Sequence, residues 1–199
     1  MLYGQKTHPT AKDRRTSNAN LAEQSLLERI GSGDRAAFET LYRCYFPRLT
    51  RFLQRFLRRP DKVEEVLNDA MLVVWRQAAR FNGHSKVSTW IFAIAYRRAL
   101  KSISRFEDPM EFDEEHLASL YPLPEEVFLQ RELGAALDRA IARISPVHRA
   151  VVELTYYHGC RYQEIAQIMD CPVETVKTRM FHARRQLRLL LSDQKEDLP

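Results

Sequence analysis

Apolar residues recur three and four positions apart along almost the whole chain, which is the spacing of amphipathic α-helices. In the first half of the chain this pattern predicts a series of helices separated by glycine, proline and polar interruptions. The predicted boundaries are a stop at Gly31-Ser32-Gly33, an N-cap at Asp34, restarts at Pro47 and Asp61, a loop at Asn82-Gly83-His84-Ser85 and a cap near Ser88. The last of these helices is predicted to run through about Arg105.

In the second half the helical pattern resumes near Pro124–Glu126 and continues through Ile144. Ser145-Pro146 predicts the start of the next helix, because proline suits the first helical turn, and His158-Gly159 predicts its end. Two more helices complete the chain. The sequence shows no alternation of apolar and polar residues of the kind that predicts a strand, so the predicted fold is all-α.

The charge of the chain changes sign between its two helical stretches. The net charge of +5 is distributed as +3 on residues 1–20, +8 on 21–105, −8 on 106–133 and +2 on 134–199. Two basic blocks around an acidic one are typical of two modules that bind a polyanion, although solvated helix faces with a charged linker would give the same values.

Length, periodicity and charge together predict two small helical domains in the 199 residues. The predicted organisation is a disordered basic tail (1–20), a first domain (21–105), an acidic linker (106–130) and a second, helix-turn-helix domain (131–192).

Several classes of protein are disfavoured by composition. No apolar run approaches the ~20 residues of a membrane helix, and no apolar stretch follows the basic N-terminus as in a secretory signal. Three cysteines without a CxxC pair indicate a reducing compartment, so we expect a cytoplasmic protein without membrane insertion. The chain has neither a glycine-rich phosphate loop nor a nucleophile elbow, and we expect no catalytic residue, metal or cofactor.

The segment Tyr162–Leu191 has the pattern of a DNA-binding helix-turn-helix. Ile165 and Met169 mark one face of a short helix, Asp170-Cys171 a tight turn, and Pro172 the start of a longer basic helix. The second helix of such a unit enters the major groove and reads base edges near its N-terminus. The residues predicted to face DNA are Val173, Glu174, Thr175, Lys177, Thr178, Arg179, His182, Arg185 and Arg188. The alternative is a basic amphipathic helix in an ordinary bundle.

The helix that starts near Ser88 combines aromatic and basic residues. At ~100° per residue, one of its faces carries Trp90, Ile94, Arg97, Arg98, Lys101 and Arg105. Such a face suits single-stranded nucleic acid, because the ring stacks on an unpaired base while the cations hold phosphates. The alternative is a core tryptophan surrounded by the apolar stems of Arg and Lys.

Three stretches resemble the bacterial RNA polymerase sigma factors of the extracytoplasmic-function type, and the resemblance covers about residues 21–191. VLNDAMLVVWR (Val66–Arg76) resembles the helix that grips the clamp helices of the polymerase β′ subunit. FNGHSKVSTWIFAIAYRRAL (Phe81–Leu100) resembles the segment that melts and captures the minus-ten element. YYHGCRYQEIAQIMDCPVETVKTRMFHARRQL (Tyr156–Leu187) resembles the helix-turn-helix that reads the minus-thirty-five element, with Asp170 in place of the usual turn glycine.

The resemblance implies a sigma factor that binds RNA polymerase core, at the β′ clamp helices and the β flap, and that recognises and melts promoter DNA to start transcription. It also implies an anti-sigma factor as a partner, and an acidic linker that threads through the polymerase. The core-binding residues it implies are Asn68, Asp69, Leu72 and Trp75. The minus-ten residues it implies are Gly83, His84, Ser85 and Lys86 in the loop and Trp90, Arg97, Arg98 and Lys101 on the helix.

Two other interpretations stay open at the level of the sequence. The chain could be a stand-alone helix-turn-helix regulator that binds duplex DNA, with residues 21–105 as a sensor or dimerisation domain. An enzyme with a zinc site is the second, although the spacing of its candidate ligands matches no compact ligand pattern. Those candidates are His148, His158, Cys160, Cys171 and His182.

Overall fold

A computed structural model of the chain describes residues 11–57, 60–105 and 125–196, and every regular element within these ranges is a helix. The first domain consists of α1 (Ala11–Gly31), α2 (Arg35–Phe56), α3 (Pro60–Gln77), a short 3-10 helix (Ala78–Arg80) and α4 (Val87–Arg105). The second consists of α5 (Glu125–Arg143), α6 (Pro146–Tyr156), α7 (Tyr162–Met169) and α8 (Val173–Glu196). The predicted all-α fold with two helical domains is confirmed.

Helix α2 is the centre of the first domain. Its fully buried side chains follow the helical spacing, and α1, α3 and α4 pack around it. The buried residues of α2 are Ala37, Leu41, Tyr45, Leu49, Phe52, Leu53 and Phe56. Asp34 begins the helix as predicted, because its carboxylate accepts hydrogen bonds from the backbone N–H groups of Ala36 (2.9 Å) and Ala37 (3.1 Å).

The predicted restart of the helix at Pro47 is wrong, because α2 continues through Pro47 without interruption. Proline removes one backbone hydrogen bond and strains the preceding turn. The apolar face is buried on both sides of the proline, from Leu41 and Tyr45 to Leu49 and Phe52, so tertiary packing holds the helix together.

The first helix begins earlier than predicted, and the fifth begins where the helical pattern was predicted to resume, although the predicted linker was drawn to residue 130. Helix α1 starts at Ala11, so the predicted disorder of residues 11–20 is wrong, whereas residues 1–10 lie outside the described part of the chain. These turns are polar and lack apolar periodicity; at their C-terminal end the Asn20 side chain accepts a hydrogen bond from the Val87 backbone N–H (3.0 Å), which connects α1 to the start of α4. Helix α5 starts at Glu125, inside the predicted linker (106–130), of which residues 106–124 lie outside the described part.

The second domain packs α6, α7 and α5 against α8. Its core is formed by Ile141, Ile144, Val151, Leu154, Ile165, Ile168, Val176 and Met180. Helix α7 ends at Asp170, whose left-handed backbone (φ 50°, ψ 55°) makes the turn that glycine usually makes. Among the described residues, no helix combines the length and apolar character required to cross a membrane.

Candidate nucleic-acid interface

Helix α8 presents its predicted DNA-facing residues on the side away from the core. Val176, Met180 and Ala183 are buried against α6 and α7, as their spacing predicts. On the other side, Glu174, Lys177, Thr178, His182, Arg185 and Arg188 are exposed, and Val173, Thr175 and Arg179 are half-buried. The helix-turn-helix pattern thus corresponds to an exposed, mainly basic face on a helix whose opposite side packs against α6 and α7.

Several of these side chains contact one another or the turn. Lys177 pairs with Glu174 (2.8 Å), and Thr178 Oγ1 donates to the Glu174 carbonyl (3.0 Å). The Lys177–Glu174 pair is exposed and contributes little to stability, so both groups can exchange this contact for one to DNA. Arg179 Nη1 lies 3.6 Å from Cys171 Sγ, which directs this guanidinium towards the turn between α7 and α8.

The predicted minus-ten loop is an ordered turn. The Asn82 side chain accepts a hydrogen bond from the His84 backbone N–H (3.1 Å). Gly83 has a φ of 73°, a backbone conformation that residues other than glycine rarely adopt. Ser85 Oγ donates to the Lys86 carbonyl (3.3 Å). His84 is exposed at the tip, whereas the Lys86 ammonium forms an ion pair with Glu164 of α7 (2.6 Å).

The aromatic and basic face of α4 is divided. Trp90 is half-buried and packs on Phe81, with ring centroids 5.4 Å apart, while Arg97 and Lys101 are exposed and Arg98 is half-buried. Ile94, predicted to share this open face, is only 4% exposed. The structure therefore separates Trp90, at the loop end, from the cations towards the C-terminal end of α4.

The residues predicted to bind polymerase lie together on α3, and side chains of α2 extend the surface that they form. Asn68 and Asp69 are exposed, Leu72 is 44% exposed and Trp75 is half-buried. The Tyr42 hydroxyl on α2 donates to Asn68 Oδ1 (3.0 Å). We call this surface the α2–α3 patch; its members are Phe38, Tyr42, Phe46, Asn68, Asp69, Leu72 and Trp75.

Sequence reasoning missed the contribution of α2 to this patch. Phe38, Tyr42 and Phe46 are spaced four residues apart, so they form a ladder along one side of α2. Neighbouring rings lie 6.1 and 5.6 Å apart, and Phe38 meets Trp75 edge-on at 5.2 Å. The recurrence of aromatic residues at every fourth position is the signal in the sequence that indicates this ladder.

The candidate zinc ligands are not gathered into a site. His148 and His182 are neighbours, with ring centroids 6.2 Å apart, but His158 lies between Phe52 and Phe92 of the other domain. Burial raises the pKa of the Cys160 thiol to about 11. In the part of the chain that the structure describes, no three His, Cys, Asp or Glu side chains are grouped so that they could hold a metal ion.

Both domains match known family models. Residues 41–107 match Sigma-70 region 2, and residues 134–187 match Sigma-70, region 4. Because the chain carries both regions in this order, it is not a stand-alone helix-turn-helix regulator.

Individual relatives agree with the two family models. The ECF RNA polymerase sigma-E factor of Escherichia coli is 31% identical over 178 residues, which cover 84% of this chain and 93% of that protein. The structure of CnrH in complex with the cytosolic domain of CnrY shares the fold (TM-score 0.65, 21% identity, 86% of this chain and 98% of that one). So does the sigma factor RpoE in complex with the anti-sigma factor NepR from Bartonella quintana (TM-score 0.60, 23% identity, 78% and 96%). The chain belongs to the extracytoplasmic-function RNA polymerase sigma factors.

Proposed function

We propose that this sigma factor binds polymerase core through the α2–α3 patch, the minus-ten element through the loop 82–86 and α4, and the minus-thirty-five element through α8. The observation that supports this division most strongly is that the predicted core-binding residues lie together in the α2–α3 patch and the predicted minus-thirty-five residues share one side of α8. The domain that carries the first two surfaces and the domain that carries the third correspond to the two matched sigma regions.

The α2–α3 patch combines exposed apolar groups with a carboxylate. Phe46 and Leu72 are 42% and 44% exposed, and Asp69 stands beside them on α3. Apolar anchors next to an acidic group fit a partner helix with basic residues, which is the chemistry proposed for the β′ clamp helices. The Asn68 side chain is already oriented by Tyr42, so this part of the patch is organised before core binds.

Replacing Asp69 with arginine tests this surface. The reversed charge should weaken binding to core at least tenfold in a pull-down or fluorescence titration, while the circular dichroism melt of the free protein stays unchanged. Glu28→Arg is the matched control, since Glu28 is exposed on α1, outside the patch. Equal loss of core binding in both variants, or in neither, would show that the patch is not the core-binding surface.

The minus-ten surface has the components needed to capture an unpaired base. Flipping a base costs a few kcal/mol of stacking, and stacking on a protein ring returns about 1–3 kcal/mol per base. The Asn82 turn holds His84 at the exposed tip of the loop, and Arg97 and Lys101 supply cations further along α4. Binding energy alone then drives melting, and we propose that the chain has no enzymatic activity of its own.

On α8 we propose a division between residues that read bases and residues that hold phosphates. The base readers are Glu174, Thr175, Thr178 and Arg179, which lie in the first two turns of the helix, where a recognition helix meets base edges. Lys177, Arg185 and Arg188 hold phosphates from the exposed flank and from the later turns. His182 lies between the two groups, at the middle of the same face.

Two protein partners beyond the clamp helices are proposed. A groove of about 660 Å³ between α5, α6 and α8 has an apolar floor and the cation Arg184 at its edge, and we assign it to the β flap. Arg184 is held there by the Tyr156 hydroxyl (2.7 and 3.1 Å). An anti-sigma factor is the other partner, since the related RpoE is seen with one. All these partners place the protein in the cytoplasm.

A further inference from the structure

One hydrogen bond joins the two helices that form the α2–α3 patch. The Tyr42 hydroxyl of α2 donates to Asn68 Oδ1 of α3 over 3.0 Å, although the two residues are 26 positions apart in the chain. Asn68 is exposed and Tyr42 is half-buried, so the bond lies at the surface that we assign to polymerase core. At this position the bond can set how the Asn68 amide meets the partner.

The Tyr42 ring is held in place by its aromatic neighbours. Its centroid lies 6.1 Å from that of Phe38 and 5.6 Å from that of Phe46, and Phe38 in turn meets the Trp75 ring edge-on at 5.2 Å. These separations are those of interacting ring pairs. Because the ring is packed between these neighbours, its hydroxyl occupies a defined position before any partner binds.

The chemistry of the two groups fixes the direction of this hydrogen bond. An amide oxygen is a strong acceptor, whereas a phenol oxygen is a weak one because its lone pairs are delocalised into the ring, so the phenol donates and the amide oxygen accepts. Burial and the negative charge of Glu64 raise the pKa of Tyr42, which keeps the hydroxyl protonated and able to donate. The Asn68 amide is therefore turned with Oδ1 towards Tyr42 and with its NH2 group away from it.

The NH2 group of Asn68 is left for a partner. Within residues 11–57, 60–105 and 125–196, no carbonyl or side chain accepts a hydrogen bond from Asn68 Nδ2. This nitrogen carries two N–H donors and accepts nothing. A partner that covered it without accepting from it would leave a donor unpaired, which weakens binding, so the surface selects a partner with an acceptor at this point.

The neighbours of Asn68 limit the charge of that acceptor. At ~100° per residue, Glu64, Asn68 and Leu72 lie along one side of α3, and Asp69 follows on the flank. Both carboxylates are exposed, so a partner carboxylate opposite Asn68 would stand next to two like charges. The backbone carbonyls of a partner helix are already bonded within that helix. The acceptor that fits is a neutral side-chain oxygen, of an amide or a hydroxyl.

We propose that Tyr42 is a positioning residue for core binding, which turns the Asn68 amide so that Nδ2 donates to a neutral side-chain oxygen of the polymerase. This inference rests on the proposed function, because it requires the α2–α3 patch to be the surface that core covers. Without the hydroxyl, the amide also turns its oxygen outwards, and binding has to order it. Ordering one side chain lowers affinity roughly two- to tenfold, which is the contribution expected of the Tyr42 hydroxyl.

Asn68→Asp tests the direction in which Asn68 bonds to core. The variant keeps an oxygen that accepts from Tyr42, but it presents a second oxygen where the parent presents two N–H donors. Fluorescence titration of core should show a loss of affinity of roughly tenfold or more, at least as large as that of Asn68→Ala, since two acceptors then face each other. Asn18→Asp is the matched control, because Asn18 is exposed on α1, outside the patch, and its replacement adds the same charge.

An affinity of Asn68→Asp equal to that of the parent, or higher, would overturn the proposal. A carboxylate is a better acceptor than an amide, so either result would mean that a donor of core meets this position. A loss smaller than that of Asn68→Ala would overturn it for the same reason. Equal losses in Asn68→Asp and Asn18→Asp would show that core responds to net charge and not to the direction of the hydrogen bond, which also contradicts the proposal.

A double-mutant cycle tests the positioning role of Tyr42. Tyr42→Phe removes only the hydroxyl and keeps the ring between Phe38 and Phe46. It should lower the affinity for core roughly two- to tenfold in the parent and leave affinity unchanged in the Asn68→Ala background, because no amide then remains to be oriented. Tyr162→Phe is the matched control, since Tyr162 is a half-buried tyrosine of α7, outside the patch.

The coupling between the two positions separates positioning from other roles of Tyr42. A hydroxyl that touched core directly would give the same loss in both backgrounds. A tyrosine that served only for packing would give no loss in either, because phenylalanine keeps the ring. Each of these results would overturn the proposal.

Asp69→Arg distinguishes failure of this inference from failure of the proposed function. If Asp69→Arg weakens core binding but the cycle shows no coupling between Tyr42 and Asn68, the α2–α3 patch binds core and Tyr42 does not position Asn68. If Asp69→Arg and Asn68→Ala both bind core as the parent does, the patch is not the core-binding surface, and the proposed function fails together with the inference.

Discussion

Replacing Arg149 with alanine should destabilise the second domain more than the first. This buried guanidinium donates to three carbonyls at the end of α5, those of Ile141 (3.1 Å), Ala142 (2.7 Å) and Ile144 (3.0 Å), besides its two acceptors on α2. Each buried carbonyl left without a donor costs about 1–3 kcal/mol, but water enters the vacated space and donates hydrogen bonds to some of these carbonyls. We expect the free energy of unfolding of the second domain to fall by about 2–4 kcal/mol.

The tryptophans make this prediction measurable domain by domain. The only two in the sequence, Trp75 and Trp90, both lie in the first domain, so tryptophan fluorescence reports that domain and far-ultraviolet circular dichroism reports all the helices. In urea, the circular dichroism transition of Arg149→Ala should separate into two phases, with the second domain unfolding first. The free energy of unfolding of the first domain, followed by tryptophan fluorescence, should fall by about 1 kcal/mol, since this domain loses only the contacts from Arg149 to α2.

Two further variants define the origin of the effect. Arg143→Ala removes an exposed guanidinium from the end of α5 and should change stability by less than about 0.5 kcal/mol. Arg149→Lys keeps the charge, but its three donors on one atom cannot reach five separated carbonyls, so it should recover only part of the loss. An Arg149→Ala protein as stable as Arg143→Ala would refute the reasoning from buried carbonyls.

Three predictions concern DNA reading, DNA opening and the core of the first domain. Thr178→Ala should change preference at one base pair of the upstream element by about 1–3 kcal/mol, whereas Arg185→Ala should weaken all upstream sequences alike and lower the salt dependence; uniform loss in both would contradict the division of roles. Substitutions at 83–86 should leave core and upstream binding intact and abolish permanganate reactivity of the minus-ten region, and full reactivity would exclude a base-capturing loop. Phe52→Ala should cost about 3–5 kcal/mol in urea unfolding followed by tryptophan fluorescence, because Phe52 is fully buried beside Phe56 and Phe92; a loss under 1 kcal/mol would show that the site collapses around the gap.

The sequence was sufficient for features that depend on local spacing. Val176, Met180 and Ala183 recur at helical intervals, and the structure buries all three. Asp34 and Asp170 carry local backbone signals, one for a helix start and one for a left-handed turn, and both were predicted. Such features are set within a few residues, so the sequence contains the complete signal.

Features set by distant contacts were not predictable in this way. Pro47 reads as a break, because the packing that carries α2 through it comes from other helices. Ile94 reads as part of an open face, because the helix that covers it lies almost seventy residues further along the chain. The pair between Lys86 and Glu164 has no periodicity at all to indicate it.

In vitro transcription with RNA polymerase core, followed by mapping of transcript starts on genomic DNA from the source organism, tests the assignment most directly. A sigma factor gives start sites that are absent with core alone and with the chain alone, each preceded by the same pair of sequence elements about ten and thirty-five base pairs upstream. Asp69→Arg should reduce all of these transcripts together, while Glu28→Arg should not. Sequence-specific protection of DNA by the chain without core, with no new start sites when core is added, would contradict the assignment.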